Sequence, residues 1–291
     1  MASSLSLVTQ IAINGLALSA EYAMIALGFT LLFGILRIVN FAHGSLFMLG
    51  AMFTYEFCTV FHLPYFEALL LGALSVAALG LLLERIAYRP FYGRELQGII
   101  ATLGLAIMLQ YAAVILWGQQ PLSISPTPFP AVLHIAGASL PSGQLVIIVI
   151  ATFLLLAFYY FTRFTKLGLA LRVVAEDPEI AQAQGIHLNV VYVATFLTSV
   201  LLAALAGGLI GQQYTLTPSM GTDALIKAFI IVILGGLGSV PGSILGSVLL
   251  GLGTSTLDTL FGGNIAEVTW FVAIIVLLAV RPSGLLGRSH G

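Results

Sequence analysis

Charged residues are scarce in this sequence. Of its 291 residues, 10 are Lys or Arg and 11 are Asp or Glu, so 7% are charged, whereas an ordinary soluble domain carries about 25%. Hydrophobic residues make up 59%, and the mean hydropathy is +1.09. This composition excludes a soluble globular protein. The net charge of −1 provides no basic surface of the kind that binds nucleic acid, and we predict no nucleic-acid partner.

Sequence motifs for metal binding or catalysis are also missing. The single cysteine, Cys58, excludes an internal disulfide and a cysteine-rich metal site. The five histidines form neither H-x-x-x-H nor H-E-x-x-H, so we predict no metal site and no bound cofactor. No G-x-x-x-x-G-K-S/T sequence is present, and any ATP would have to be hydrolysed by a partner protein. G-x-S-x-G is absent as well, which makes an intramembrane hydrolase the remotest alternative.

Long apolar runs fill most of the chain and predict membrane-spanning helices. The ten-residue alternation typical of membrane barrels is absent. We therefore predict an all-α polytopic membrane protein with about nine transmembrane helices, in a range of eight to ten, forming one domain over residues 1–291. The first run lacks a basic segment and a cleavage site before it, so it is predicted to be a retained span. The runs cover residues 7–36, 41–61, 65–86, 98–117, 144–161, 190–210, 224–237, 244–257 and 268–280, of which the seventh and eighth are short.

Lys and Arg cluster in three of the predicted connections, and the positive-inside rule places these in the cytoplasm. The loops over residues 118–142, 212–222 and 258–267 contain no Lys or Arg. With an odd number of spans, the C-terminus is predicted to be cytoplasmic and the N-terminus external. The clusters are Arg85, Arg89 and Arg94; Arg163, Lys166 and Arg172; and Arg281 with Arg288.

Residues 163–189 are the least hydrophobic stretch and are predicted to hold a short cytoplasmic helix. Asp177 is a good N-cap, Pro178 suits the first helical position, and Gly185 predicts the end of the helix. A helix of about two turns is marginal in water, so it needs a partner surface. The next apolar run has a small-residue face that favours close helix packing and the transmission of movement. This face consists of Ala203, Ala204, Ala206, Gly207, Gly208 and Gly211.

Two glycine-rich interruptions, within residues 28–51 and 233–253, predict broken helices of the kind that line transporter passages. At the first, Asn40 and His43 offer polar groups, while Gly44 allows backbone to open or another helix to come close. The alternative is a satisfied helix-packing turn. For Gln110, an interhelical hydrogen bond is the alternative role. The further candidates for the passage are Gly235, Gly236, Gly238 and Ser239.

Two charged residues, Glu21 and Lys227, lie inside predicted spans. An unpaired charge facing lipid costs several kcal/mol or more, so both should face protein or water. A structural ion pair or interfacial snorkelling is one interpretation, and a direct role in the passage is the other. The outer loop, residues 118–142, contains five prolines and is predicted to be stiff. It is either a rim packed over helix ends or a contact for an external partner.

Several stretches together resemble the permeases of branched-chain amino acid ABC importers, of the LivH type. Residues 172–211 contain AEDPE, QGI and ALAGG, and the resemblance covers almost the whole chain. The other matching stretches are RIVNFAHG at 37–44, ERIAYRP at 84–90, ATLGLAIMLQ at 101–110, KAFIIVILGGLGSVPGSILG at 227–246 and RPSGLLGR at 281–288.

The resemblance implies a non-enzymatic permease subunit in a prokaryotic inner membrane. Its expected partners are a second, homologous permease, two cytoplasmic ATPase subunits, a periplasmic or extracellular solute-binding protein, and membrane lipid. The expected mechanism is alternating access driven by the ATPases. The residues that this implies for coupling to an ATPase are Arg172, Glu176, Asp177, Pro178, Ala181 and Gly185.

The expected solute is a branched-chain or other hydrophobic amino acid. Permeases with the same architecture that import urea, short amides or sugars are one alternative. An ATP-independent channel or carrier is the other, and it would use Glu21 and Lys227 as coupling groups.

Overall fold

The computed structural model describes residues 2–124, 128–135, 137–281 and 284–286. Pro126, Arg288 and His290 lie outside the described residues, as does half of the 281–288 stretch. The fold is helical apart from one small hairpin, as predicted. The helices are α1 (Ala2–Leu36), α2 (His43–Tyr55), α3 (Tyr65–Leu83), α4 (Glu95–Trp117), α5 (Ser142–Phe164), α6 (Lys166–Glu176), α7 (Pro178–Ala183), α8 (Leu188–Gly211), α9 (Met220–Gly235), α10 (Val240–Phe261) and α11 (Gly263–Val280).

Seven helices of the described chain are long and apolar enough to cross a membrane: α1, α3, α4, α5, α8, α10 and α11. Two more correspond to the second and seventh predicted spans but are shorter. Helix α2 has 13 residues and continues as a π-helical turn over Glu56–Val60, and α9 has 16 residues. These nine agree with the predicted range. The eighth run is longer than predicted, because α10 extends over 22 residues.

The centre of the bundle consists of α1, α2 and α8. Helix α1 packs against α8 and α10, and α8 also packs against α2 and α3. Phe29, Met48 and Phe196 are among the large side chains that are almost fully buried. Helices α4, α5 and α11 instead leave most of their apolar side chains exposed. In a bilayer this surface faces lipid, where helices remain stable because their backbone groups are paired internally.

The small-residue face of α8 is buried, and it brings the backbone of α8 against that of α2. A Cβ added at Gly207 would collide with the carbonyl oxygen of Phe47, and one added at Gly50 would collide with Ala204. Because glycine has no side chain, the two helices approach more closely than larger residues allow. The predicted close packing of the sixth span is confirmed.

Both predicted helix breaks are present, and both lie beside the last turns of α1. The first covers residues 37–42 and begins at Arg37, which has a left-handed φ of 53°. The second covers residues 236–239, where Gly236 and Gly238 have positive φ. A Cβ added at Gly34 of α1 would lie 3.3 Å from the Cα of Gly238. The C-terminal half of α1 therefore lies against the second break and leads directly into the first.

Loops and a hairpin cover the opposite end of the bundle. Strands β1 (Val132–Ile135) and β2 (Ala138–Pro141) pair antiparallel, and Gln10 of α1 accepts a 2.8 Å hydrogen bond from the Ser139 amide. Leu122 and Leu216 exchange backbone hydrogen bonds of 3.0 and 2.8 Å. These contacts tie the proline-containing loop to α1 and to the α8–α9 connection. They agree with the interpretation of this loop as a rim over the helix ends.

Candidate functional site: helix breaks and an amphipathic segment

Asn40 is the best-connected residue of the first break, and its side chain is 1% exposed. Its Oδ1 accepts hydrogen bonds from the Tyr88 hydroxyl at 2.7 Å and from the Ala42 amide at 3.0 Å. The second bond fixes the turn that starts α2, as Asx side chains do. Among the described residues, its Nδ2 has no partner. An unpaired buried donor is costly, so Nδ2 favours an additional hydrogen-bond acceptor.

His43 is fully buried at the start of α2. Its Nε2 lies 3.1 Å from the carbonyl oxygen of Ile25, and its ring makes an edge contact with Phe29. Since a carbonyl can only accept, we assign the proton to Nε2, which leaves Nδ1 as an acceptor. Within the described part of the chain Nδ1 has no partner. Asn40 and His43 thus provide one unused donor and one unused acceptor, three residues apart.

The other passage candidates have different surroundings. Gly44 packs on the backbone of Gly221 and allows α2 and α9 to cross closely. Gly235 meets the backbone of Gly242 in the same way, while Ser239 caps α10 by accepting a 3.1 Å hydrogen bond from the Gly242 amide. Gln110 is half-buried on α4. The structure therefore groups the candidates at two breaks joined through α1, with Gln110 on a separate helix.

The predicted cytoplasmic helix is present as α7. The Asp177 side chain accepts hydrogen bonds from the amides of Glu179 and Ile180 at 2.8 and 3.0 Å. Gly185 has a φ of +84°, the left-handed conformation that follows helix ends. The predicted cap and stop are both confirmed. With six residues, α7 is shorter than the two turns predicted.

Sequence reasoning missed α6, the amphipathic helix that precedes α7. It begins after Thr165, whose hydroxyl accepts a 3.0 Å hydrogen bond from the Gly168 amide. Its buried residues are Gly168, Leu171 and Val174, a three-residue spacing that fits one helix face. The three-residue spacing of the buried residues and the threonine N-cap are the sequence signals from which α6 could have been predicted.

Helices α6 and α7 are fastened to the membrane bundle. Leu171, Val174 and the fully buried Ala181 belong to one hydrophobic cluster. That cluster also contains Leu27, Leu31 and Ile35 of α1. Arg172, Glu179 and Ile180 are exposed, so one face of this segment packs on the bundle, α6 on α1 and α8 and α7 on α8, and another face is exposed. We call α6, α7 and their connection the coupling segment.

Glu21 and Lys227 are arranged differently from a simple ion pair. The Glu21 carboxylate is 4% exposed and accepts a 3.4 Å hydrogen bond from the Tyr214 hydroxyl. The Lys227 ammonium lies over the Tyr22 ring, 5.6 Å from its centroid. Cation–π contact of this kind is favourable for a partly buried lysine.

The long apolar helices, the two glycine breaks and the amphipathic segment are those of a polytopic helical membrane protein. The profile described as "Branched-chain amino acid transport system / permease component" matches residues 11–281. This chain therefore belongs to the branched-chain amino acid permease family.

Named relatives agree with this assignment. The chain is 34% identical to the high-affinity branched-chain amino acid transport system permease protein BraD of Pseudomonas aeruginosa, over 95% of this chain and 94% of BraD. It is 32% identical to LivH of Escherichia coli K12, over 94% of each chain. The ribose import permease protein RbsC of the same organism is more distant, with 26% identity over 73% of this chain and 66% of RbsC.

Proposed function

We propose that this chain is a permease subunit of an ATP-binding cassette importer that moves branched-chain or other hydrophobic amino acids across a prokaryotic inner membrane. The observation that carries the proposal is similarity to branched-chain permeases over nearly the whole chain. The sugar permeases among the relatives are less similar and shorter in overlap. ATP hydrolysis belongs to partner subunits, since the sequence has no P-loop.

The coupling segment is proposed to dock on one cytoplasmic ATPase through its exposed face. Arg172, Glu176, Asp177, Pro178, Ala181 and Gly185 are the proposed coupling residues. Ala181 and Gly185 hold the segment in shape, because Ala181 is fully buried in the cluster that joins the segment to the bundle and Gly185 forms the turn. The remaining members present charge or shape to the partner. This orientation places the C-terminus in the cytoplasm and the N-terminus outside.

Movement of the coupling segment has a short route to the helix breaks. Leu27 and Leu31 of α1 lie in the cluster shared with α6 and α7, and the His43 ring lies next to Gly28. Displacement of the segment therefore acts on α1 within a few residues of the first break. Helix α8 adds a second route, because it follows the segment and packs on α2. Alternating access results when both routes shift the breaks between two arrangements.

The passage is proposed to run along the two breaks. Asn40 Nδ2 and His43 Nδ1 support this, because they are buried polar atoms without partners in the described chain. Gly44, Gly235, Gly236, Gly238 and Ser239 would let backbone move, and Gln110 would add a polar group from α4. Cysteine scanning of these positions in a Cys58→Ala background tests the proposal. Protection from aqueous thiol reagents in both ATP-bound and ATP-free complexes would contradict it.

Reconstitution tests the function as a whole. The chain is combined with a second permease, ATPases and a solute-binding protein from neighbouring genes in proteoliposomes. We expect ATP-dependent uptake of leucine that is not reduced by excess urea or pentose. Leucine flux through the chain alone, without ATP, would indicate a channel or carrier instead. Competition by urea or pentose would indicate one of the alternative solutes.

The coupling assignment has its own test in the same complex. Asp177→Arg removes the α7 cap and reverses a charge, and Gly185→Trp cannot adopt the left-handed turn without strain. We expect both to reduce solute-stimulated ATP hydrolysis at least about tenfold or to prevent assembly with the ATPases. The matched control is Gly93→Trp, at another positive-φ glycine with open space around it. Normal assembly and normal stimulation in both coupling variants would contradict the assignment.

A further inference from the structure

A cavity lies at the end of the bundle opposite the coupling segment. It has a volume of about 480 Å³, within the range of roughly 300–1,000 Å³ typical of small-molecule sites. One wall is the turn after α8, and the other is the start of α5 with the outer loop. The lining includes Phe129, Gly143, Gln212, Gln213, Tyr214 and Thr215. In the proposed orientation this cavity opens on the side from which solute arrives.

The cavity is backed by a buried carboxylate. Tyr214 lines the cavity with its ring, and its hydroxyl donates to Glu21 at 3.4 Å. That distance is long for a hydroxyl–carboxylate hydrogen bond, which is usually about 2.5–2.7 Å. Lys227 attracts Glu21 Coulombically, but its ammonium lies over the Tyr22 ring. Glu21 is therefore a buried carboxyl group held by a long hydrogen bond, and a closer cationic donor would stabilise its ionised form.

Tyr214 stays protonated beside this carboxylate. Burial first, and then the negative charge of Glu21, raise the pKa of Tyr214 well above its ordinary value. Its hydroxyl therefore remains a donor at neutral pH. The Tyr214 hydroxyl occupies a hydrogen-bonding position on the Glu21 carboxyl group that a stronger donor would take.

The same turn also carries amide donors. Gln212 donates from Nε2 to the Gly143 carbonyl at 3.3 Å, while Gln213 Nε2 is buried with no partner among the residues that the structure describes. Two neighbouring polar atoms, Ser142 Oγ and Gln144 Oε1, are also buried without partners in that part of the chain. Buried polar groups are normally hydrogen-bonded, so these atoms beside the cavity favour a polar molecule, water or a ligand, as an additional partner.

We infer that this cavity is an entry site for an amino-acid zwitterion, with Glu21 and Tyr214 recognising the α-ammonium group and Gln213 recognising the α-carboxylate. A zwitterion supplies an ammonium donor for Glu21 and an acceptor for Gln213 Nε2. The apolar side chain would lie towards Phe129. The inference rests on the proposed function and deepens it. It assigns residues that recognise the α-ammonium and α-carboxylate groups of the amino acid rather than its side chain.

The test uses the full transporter complex with Cys58→Ala and Thr215→Cys in this chain. Thr215 lines the cavity and is exposed, so a membrane-impermeant thiol reagent reports occupancy. The labelling of this chain is measured by mass spectrometry at increasing concentrations of three compounds. These are leucine, 4-methylpentanoate, which lacks the ammonium group, and leucinol, which lacks the carboxylate group. We expect leucine to protect at concentrations about tenfold or more below those of either analogue, since each analogue loses one charged hydrogen bond.

Two substitutions separate recognition from structural support. Glu21→Gln should remove the preference for leucine over 4-methylpentanoate while keeping the preference over leucinol. Gln213→Ala should do the reverse. Tyr214→Phe retains the buried carboxylate and should weaken the ammonium preference several-fold, which covers the case in which Glu21→Gln does not assemble. Glu67→Gln, an exposed carboxylate at the start of α3, is the control and should match the parent chain.

The outcomes separate this inference from the proposed function. ATP-dependent leucine uptake without protection of Thr215→Cys overturns the inference and leaves the function standing. The inference is also overturned, and the function left standing, if Glu21→Gln or Tyr214→Phe retains the full preference for leucine over 4-methylpentanoate. Absence of leucine uptake in the parent complex overturns the proposed function, and the inference with it.

Discussion

Side chains close the break between α1 and α2, whereas backbone closes the break between α9 and α10. At the first, Tyr88 and Asn40 form a buried hydrogen bond of 2.7 Å. At the second, Gly235 and Gly242 are in backbone contact, and the amides of Leu285 and Leu286 donate to carbonyls at the end of α9. The first break is therefore specified by polar chemistry and the second by the absence of side chains. Substitutions should affect the two in different ways.

The largest effect is expected from Gly235→Val at the second break. Its Cβ would collide with the backbone of Gly242, which cannot rotate away as a side chain can. We expect destabilisation of about 3 kcal/mol or more, or loss of folded protein. The control is Gly104→Val on α4, where a Cβ meets nothing within 4 Å. Thermal unfolding in detergent measures both, and equal stability of the two variants would show that the second break is not closed by backbone.

Asn40→Ala should have the next largest effect, at the first break. It leaves the fully buried Tyr88 hydroxyl without its acceptor and the Ala42 amide without its cap. We expect a loss of about 2–3 kcal/mol in the free energy of unfolding. Asn40→Asp keeps an acceptor for both donors and separates the loss of hydrogen bonding from the change of charge. A loss below about 0.5 kcal/mol for Asn40→Ala would mean that side chains do not close this break.

Tyr88→Phe should cost less than Asn40→Ala, about 1 kcal/mol, because the Ala42 amide keeps its bond to Asn40. The double variant Asn40→Ala/Tyr88→Phe completes a cycle. We expect a coupling energy of about 1 kcal/mol, since the two residues share one hydrogen bond. Additive effects in the same unfolding assay would contradict a direct bond between them.

Ser239→Ala should have the smallest effect, about 0.5–1 kcal/mol, because it removes only the partly exposed cap of α10. Ser75→Ala on α3 is the matched control, since its exposed hydroxyl bonds to its own helix. Its change should stay within about 0.5 kcal/mol. If Ser239→Ala were as damaging as Asn40→Ala, the second break would also depend on side-chain chemistry.

Local features of this fold were predictable from the sequence. The cap at Asp177, the turn at Gly185 and both breaks depend on residues within a few positions of one another. Helix α6 was missed although its signal was local, because two buried apolar residues among exposed ones are easily taken for a loop. The amphipathic spacing of Leu171 and Val174 is clear only once the helix start at Thr165 is identified.

Contacts between distant residues were not predictable in the same way. Glu21 meets Tyr214, which lies 193 positions away, and periodicity gives no information about such a partner. The sequence indicated that Glu21 should face protein or water, with a structural ion pair as one interpretation, and it named no partner. Likewise, the packing of α6 against α1 depends on how the helices assemble, so the sequence indicated only the route through α8.

The separation of Glu21 from Tyr214 has a consequence for biogenesis. At about 5–20 residues per second, the ribosome needs roughly 10–40 s to make the intervening chain. During that time α1 lies in the membrane with an acidic side chain whose hydroxyl partner does not yet exist. An acidic residue at a helix centre costs on the order of 3 kcal/mol on insertion scales, and the leucines and isoleucines around it return a few tenths each. The many apolar residues of the long helix α1 therefore offset the cost of Glu21 in the nascent chain. They keep the first helix in lipid until the later helices enclose it.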